Sequence, residues 1–402
     1  MMYRLRLPSR FPSGISIGSD ITARYLSTIF SFLILLTLTR IMPLESFANL
    51  QVATSISSLI IWIGDGGLGV LLIQEFALGK KQKVLEIWSF RTNLMFILII
   101  GTTIFCLNFT SLFITIFIWA SFFDLFTDSN LNFRQVTASS SFEMFLQPIK
   151  KFVQFSSIYL PFQILNIANL NWICASLILP SILIFLYDCR KYGGYSFSLN
   201  FMFLSTSIKK WIPNGGLVLI NLDNIVLNYF KMYEVISLLA VVKKIYSSLA
   251  IAGTALFPRI LLQVSRNKEL DPKLKKEVFK MLAITTSFAT VVTVVLPKIF
   301  DFLEMTLEGD NKGLLMSRTY VLTLPIAMMC LAMNSILVGL NKNLLAGFAN
   351  YLSSFLYLIS IAFICKLVDG YLAITYSSLL YFLSWFILEL MFLKKLTQER
   401  IM

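Results

Sequence analysis

The 402-residue chain contains no histidine. That absence removes every imidazole general base, proton relay and metal ligand. Charged residues are scarce at 14%, whereas hydrophobic ones reach 57% and mean hydropathy is +0.77. A soluble domain carries ~25% charged residues, so there is too little polar surface here to wrap a water-soluble core. Cysteine is sparse as well. Cys106, Cys174, Cys189, Cys330 and Cys365 stand singly, without a C-x-x-C pair. Neither a disulfide framework nor a zinc site is indicated, and the bland reading is five small buried hydrophobes. No metal and no cofactor is expected.

Long apolar runs are what the chain does have. A bilayer span needs ~20 mainly apolar residues. That ruler gives about twelve spans, near 15–39, 47–73, 92–108, 111–127, 152–168, 171–187, 211–229, 237–258, 279–301, 318–339, 345–366 and 371–393. Two tight hairpins, at Asn108–Thr110 and Asn169–Asn171, are inferred from polar residues that interrupt apolar stretches. An even count puts both termini on one side, and the cations choose the side. With a cytoplasmic N-terminus, inner Lys and Arg exceed outer ones roughly four to one, a strong positive-inside bias. The net charge of +13 then faces the anionic lipids of the inner leaflet, not nucleic acid. The first apolar segment holds Asp20 and Arg24 and ends without a small-residue cleavage site, so no cleavable signal peptide is expected. Asp271-Pro272 reads as a helix start.

Six spans on each side of the loop 188–210 invite a repeat search. At an offset of 189, Glu45, Leu50, Val52, Ile56, Ser58 and Gly64 meet Glu234, Leu239, Val241, Ile245, Ser247 and Gly253. Both halves begin on the same side, so this is a parallel repeat. The expected architecture is all-α: a polytopic membrane protein of two six-helix bundles, residues 1–195 and 196–402. In transporters such a repeat places the substrate site between the lobes.

Polar residues fall in stripes. Ser16, Asp20, Arg24, Ser27 and Ser31 share one face of span one, and Gln51, Ser55, Ser58, Trp62 and Asp65 share one face of span two. Asn214, Asn221, Asn224 and Asn228 do so in span seven, beside Asp223. In span eight, Lys244 maps by the repeat onto Ser55. An intramembrane charge costs at least ~2.5 kcal/mol on the lenient insertion scale, so Arg24, Lys243 and Lys244 need a reason. One reading pairs Asp20 with Arg24 at i and i+4 and lets the lysines snorkel to an interface. The other gives them a cavity, with Lys244 lining it and Lys243 flanking it. Asp65 sits in Gly64-Asp65-Gly66-Gly67, either at a wet helix end or in that cavity. Glu389 and Arg318, near span ends, read as interfacial. A cationic cavity suits an anionic head group, and amide side chains such as Asn221 and Asn224 suit sugar hydroxyls.

The stretch Leu38-Thr-Arg-Ile-Met-Pro-Leu-Glu-Ser-Phe-Ala-Asn-Leu50 resembles the first outer turn of polysaccharide flippases of the Wzx type, in the multidrug/oligosaccharidyl-lipid/polysaccharide exporter superfamily. Asp65-Gly-Gly-Leu-Gly69, Leu71-Leu-Ile-Gln-Glu75, Asp223-Asn-Ile-Val-Leu-Asn-Tyr-Phe230 and Ala255-Leu-Phe-Pro-Arg259 are similar to further stretches of that family. The resemblance implies a multi-pass protein of the bacterial inner membrane that turns over a polyprenyl-diphosphate-linked oligosaccharide, an O-antigen or similar repeat unit, by alternating access. It implies cavity roles for Arg24, Asp65, Lys243 and Lys244, and ion-gradient coupling, for which Asp20, Asp65 and Asp223 are the available carboxylates. It implies partners too: membrane lipids, a polysaccharide polymerase and a chain-length regulator.

Two rivals stand beside this reading. A multidrug/cation antiporter of the same superfamily expects an acidic cavity, and here the balance is neutral to basic. A membrane-embedded polymerase or glycosyltransferase needs acids clustered in a loop. The candidate loop, Asp301–Ser317, holds Asp301, Glu304, Glu308 and Asp310 but is short and reads as a solvated turn. No active-site constellation can be assembled, so the chain is not expected to be an enzyme.

Overall fold

Apolar runs long enough to hydrogen-bond their own backbone become helices, and glycine, proline and asparagine mark where they stop. The computed structural model describes residues 17–77, 80–109, 112–130, 141–165, 169–191, 200–203, 205, 207, 212, 215–254, 260, 264, 272–302 and 311–399. Among these residues there is no strand. The chain divides into two compact units, Met1–Trp211 and Ile212–Met402.

In the first unit the helices are α1 (Ile17–Ile41), α2 (Leu44–Asp65), α3 (Leu68–Ala77), α4 (Lys81–Phe109), α5 (Leu112–Ser129), α6 (Ser141–Leu165) and α7 (Leu170–Lys191). Helix α1 packs along α6, with Phe30 edge-on to Phe152 at 5.2 Å, and α2 packs against α5 and α4. Contacts between α2 and α5 are polar as well as apolar: Ser57 Oγ donates to the Ile118 carbonyl at 2.9 Å, and the Thr54 and Ser121 hydroxyls lie 3.1 Å apart. Small hydroxyl residues at a helix interface let backbones approach where no hydrophobic drive exists. A seam of Phe96, Phe122, Phe126 and Phe185 joins α4, α5 and α7.

The second unit contains α8 (Gly215–Leu219), a 3-10 turn (Ile220–Leu222), α9 (Asp223–Tyr229), α10 (Tyr233–Thr254), α11 (Pro272–Phe302), α12 (Asn311–Leu322), α13 (Leu324–Gly339), α14 (Asn343–Ile364) and α15 (Gly370–Glu399). Helix α15 packs on α14, α13 and α12, and α8 packs on α14. The close approach of α8 to α14 needs Gly216, because a Cβ there would overlap the Asn350 side chain and sit 2.6 Å from its carbonyl oxygen.

Eight helical stretches among the described residues are long and apolar enough to cross a membrane. The protein is a multi-pass membrane protein. Among the described residues, each of the twelve expected spans overlaps a helix or an interrupted helix. Span two is interrupted at Gly66 and Gly67, both left-handed with φ of 47° and 78°. Span seven becomes α8, the 3-10 turn and α9, and span ten becomes α12 and α13.

Three details of the sequence reading are met closely. Helix α11 begins at Pro272. Asn169 starts α7, its Oδ1 accepting from the Asn171 amide at 2.9 Å, the usual office of an N-cap amide. The repeat offset of 189 carries the bounds of α2 onto those of α10 residue for residue, both being 22 residues long. Of the other hairpin, residues 110 and 111 lie outside the described residues, as does 303–310 of the acidic loop.

Two helix starts differ from the expectation. Helix α4 begins at Lys81 and α6 at Ser141, each about three turns before the expected start of its span; Arg91, Lys150 and Lys151 therefore lie inside helices. Partners on other helices, described next, are the reason these charges are tolerated there.

Candidate functional site

Charge inside the helices collects at three places among the described residues, each built within one unit.

The first is where α2 breaks. Arg91 of α4 is almost wholly buried, and its Nε donates to Asp65 Oδ1 at 2.6 Å. Its Nη1 donates to Asn130 Oδ1 at 2.5 Å and its Nη2 to Ser129 Oγ at 2.9 Å. Asn130 passes the connection on, donating to Asp188 Oδ2 at 3.2 Å, and the guanidinium lies over the Phe126 ring. The fork of a guanidinium suits this task, since five donors in one plane reach three acceptors. Asp65 also accepts from the Gly69 amide at 3.4 Å, across the glycine break. Asp65 is thus tied to a brace joining the ends of α2, α5 and α7 to the interior of α4.

The second place joins α5, α6 and α7. Lys150 has no exposed surface; its ammonium lies 2.9 Å from Asp124 Oδ1, donates to Thr127 Oγ1 at 2.8 Å and also pairs with Asp128. Lys151 pairs with Asp124 Oδ2 at 2.5 Å. Gln154 Nε2 donates to Asp124 Oδ1 and to the Leu177 carbonyl, and Gln147 reaches Asp128. Two cations and two anions close on one another. Nearer the start of α6, Glu143 takes Lys191 at 2.5 Å and the Tyr187 hydroxyl at 3.1 Å.

The third place is in the second unit. Asp223, at the first turn of α9 and without exposed surface, receives Lys243 of α10 on both oxygens, at 2.8 and 2.6 Å. Tyr357 of α14 donates its hydroxyl to Asp223 Oδ2 at 2.8 Å, and the Asn224 amide donates to Oδ1 at 2.7 Å. Behind Tyr357 stands Tyr381 of α15, at 5.9 Å between rings, its hydroxyl donating to Asn350 Oδ1 at 3.2 Å. Trp385 follows at 5.6 Å from Tyr381. An aromatic column therefore runs from the Asp223–Lys243 pair along α15.

The sequence candidates are distributed among these places. Asp223, Lys243 and Asn224 meet in the third. Asn221 lies in the adjoining 3-10 turn and is part-buried. Lys244 occupies the neighbouring face of α10, about 100° round from Lys243; it is part-buried, and its carbonyl accepts the Ser247 and Ser248 hydroxyls. Asp65 belongs to the first place. Arg24 is part-buried on α1, with its carbonyl accepting from Thr28 at 2.9 Å. The side chain of Asp20 lies outside the described residues. Glu389, expected at an interface, is instead fully buried. Arg318 donates to the Thr293 carbonyl at 3.3 Å and so ties α12 to α11.

Several charged residues escaped the sequence reading: Arg91, Asp124, Asp128, Lys150 and Lys151. A signal existed for the second place. Asp124 and Asp128 are one turn apart, and so are Gln147 and Lys151 and then Lys150 and Gln154, which puts complementary faces on α5 and α6. Outside the spans, burial pushes the Asp369 carboxyl up, but hydrogen bonds from Lys312 at 2.8 Å and from the Leu372 amide outweigh it, holding it below the usual carboxylate range.

No family model matches the sequence, and no curated protein sequence matches it. Solved structures do match in fold. A lipid II flippase, MurJ, in an inward closed conformation superposes with a TM-score of 0.72 at 13% identity, covering 94% of this chain and 88% of that one. An inward-facing multidrug resistance transporter of the MATE family, in the MOP superfamily, gives 0.65 at 10% identity over 92% and 96% of the two chains. A Vibrio cholerae MATE transporter gives 0.60 at 15% identity over 95% and 98%. At these identities the likeness establishes the architecture: the chain has the fold of MOP-superfamily transporters along nearly its whole length.

Proposed function

We propose that the protein is a flippase that moves a polyprenyl-diphosphate-linked oligosaccharide across the bacterial inner membrane. The observation that carries this reading is the sign of the charge kept within the second unit's helices. Asp223 is matched by Lys243, and α10 retains a second lysine, Lys244, on the adjacent face. Cations kept inside membrane helices are costly and mark substrate or ion pathways. Arg24 on α1 is a further part-buried cation, in the first unit. A pump for cationic drugs wants carboxylates at such positions. The fold of a lipid II flippase over 94% of the chain supports a lipid-linked substrate, and the carboxylates Asp65 and Asp223 support coupling to an ion gradient. Among the described residues the buried charge clusters lie in helices, as a transporter requires, whereas an enzyme acting on the same lipids would keep its acids in loops.

Export of the glycan by a strain lacking its own flippase tests the assignment. Arg24→Ala is expected to abolish export at normal protein level, and Arg24→Lys to restore it in part, because a point charge replaces a bidentate fork. Lys244→Arg is expected to be tolerated and Lys244→Glu to stop export by repelling the diphosphate. Full export by Lys244→Glu would move the assignment to a substrate without an anionic group.

A further inference from the structure

Glu389 is a carboxyl acid that none of the three charge clusters uses. It lies on α15 about 11 Å before Leu396 at 1.5 Å per residue, where the apolar stretch Gly370–Leu396 ends, and it has no exposed surface. Neither of its oxygens has a partner within hydrogen-bonding geometry. Trp385, one turn earlier on α15, faces it with an equally unmatched Nε1–H, and Asn334 of α13 faces it with an unmatched Nδ2. Cys330, one turn before Asn334, is the titratable group that α13 presents to it. Among the described residues, α14 and α12, which also pack on α15, bring no charged group into salt-bridge range of it. On its own helix Lys394 and Lys395 lie further on, exposed. The arrangement is two i, i+4 pairs face to face: Trp385 and Glu389 against Cys330 and Asn334.

A carboxylate ion sealed in apolar surroundings without a cation is far more costly than the neutral acid. Two N–H donors aimed at the carboxyl nevertheless give the ion something to meet once water reaches it. A group that is neutral when sealed and supported when wetted is what proton exchange requires, whereas a purely structural polar contact is served as well by glutamine. The position also has an outlet. Trp385 abuts Tyr381, Tyr381 abuts Tyr357, and Tyr357 holds Asp223 beside Lys243, so one packed column links the neighbour of Glu389 to the cation site.

We propose that Glu389 is a proton-exchange site of the working cycle, carried protonated while buried and releasing its proton to water when its end of α15 opens. The O–H bond breaks heterolytically, the carboxyl keeps the electron pair, and the proton leaves as hydronium; no other reactant is needed. The coupling role rests on the transport reading above, but the proton site itself does not.

The experiment uses the purified full chain in liposomes and has two readouts. Infrared difference spectra over about pH 4 to 10, a range that covers ordinary and buried carboxyls, are expected to show a carboxylic-acid C=O band that disappears on titration and is missing from Glu389→Gln. Trp385→Phe, which removes one donor to the ion, is expected to move the midpoint to higher pH, and keeps the test open should Glu389→Gln fail to fold. In the second readout a fluorescent polyprenyl diphosphate is flipped under an imposed gradient of about one pH unit, worth up to about tenfold in distribution. Wild type is expected to respond, and Glu389→Gln to flip at the gradient-free rate in both directions. A band that never titrates, or a midpoint indifferent to Trp385→Phe, overturns the proton site. A full gradient response from Glu389→Gln overturns its coupling role. Titration of the band in a protein that flips no probe leaves the site standing and overturns the flippase reading instead.

Discussion

Asp223 and Lys243 compensate one another inside the helices, so neither charge is dispensable alone. Removing one partner of a buried pair strands the other, at a cost of about 3–5 kcal/mol. Asp223→Asn and Lys243→Gln are each expected to lower the unfolding temperature in detergent markedly. The double variant is expected to recover much of the loss, since two neutral amides leave no orphaned ion. Additive losses in the double variant would show that the pair is not coupled. This geometry changes what the sequence suggests for α10. The repeat marks Lys243 as the milder position beside Lys244, but its two contacts with Asp223 make Lys243→Gln the more damaging to the protein level. Adjacent lysines look alike in a sequence. Lys243 meets a carboxylate 20 residues earlier in the chain, Asp223 of α9, and hydropathy carries no information about such partners.

Helix limits were legible wherever backbone chemistry writes them into local sequence. Pro272 opens α11, Asn169 caps α7, and Gly66-Gly67 takes the left-handed backbone at the break after α2. They were not legible where a buried ion pair keeps a helix going. Lys150 and Lys151 look like the basic edge of a loop, and only Asp124 and Asp128 across the interface turn them into interior residues. The same holds for Arg91 and Asp65. Close helix approach is a further matter of element against element. At Gly216 an added methyl would overlap Asn350, whereas at Gly101 of α4 it meets nothing within 4 Å. Gly216→Ala is therefore expected to cost about 1–3 kcal/mol through overpacking and to separate α8 from α14. Gly101→Ala is expected to be neutral or stabilising by about 1 kcal/mol through helix propensity. Thermal unfolding of the two purified variants checks this, and equal behaviour of the pair would contradict the packing assigned to Gly216.

For the molecule as a whole, the helical, multi-pass architecture follows from hydropathy, and the repeat offset of 189 carries the bounds of α2 onto those of α10. The charge clusters did not, because each is assembled from helices distant in sequence. Cytoplasmic termini are proposed from the distribution of Lys and Arg along the sequence. Single cysteines at Lys276 and at Leu367, in a background without the five native ones, are expected to separate under an impermeant reagent in intact cells: Leu367→Cys labels and Lys276→Cys does not. The reverse pattern would invert the molecule. The central claim is that this membrane protein carries an anionic lipid by means of cations held inside its helices. It is tested most directly by flipping in liposomes of the purified chain, comparing a fluorescent polyprenyl diphosphate with the same polyprenol lacking phosphate. The account predicts rapid flipping of the diphosphate alone, lost in Lys244→Glu; equal flipping of both lipids, or undiminished flipping of the diphosphate by Lys244→Glu, would contradict it.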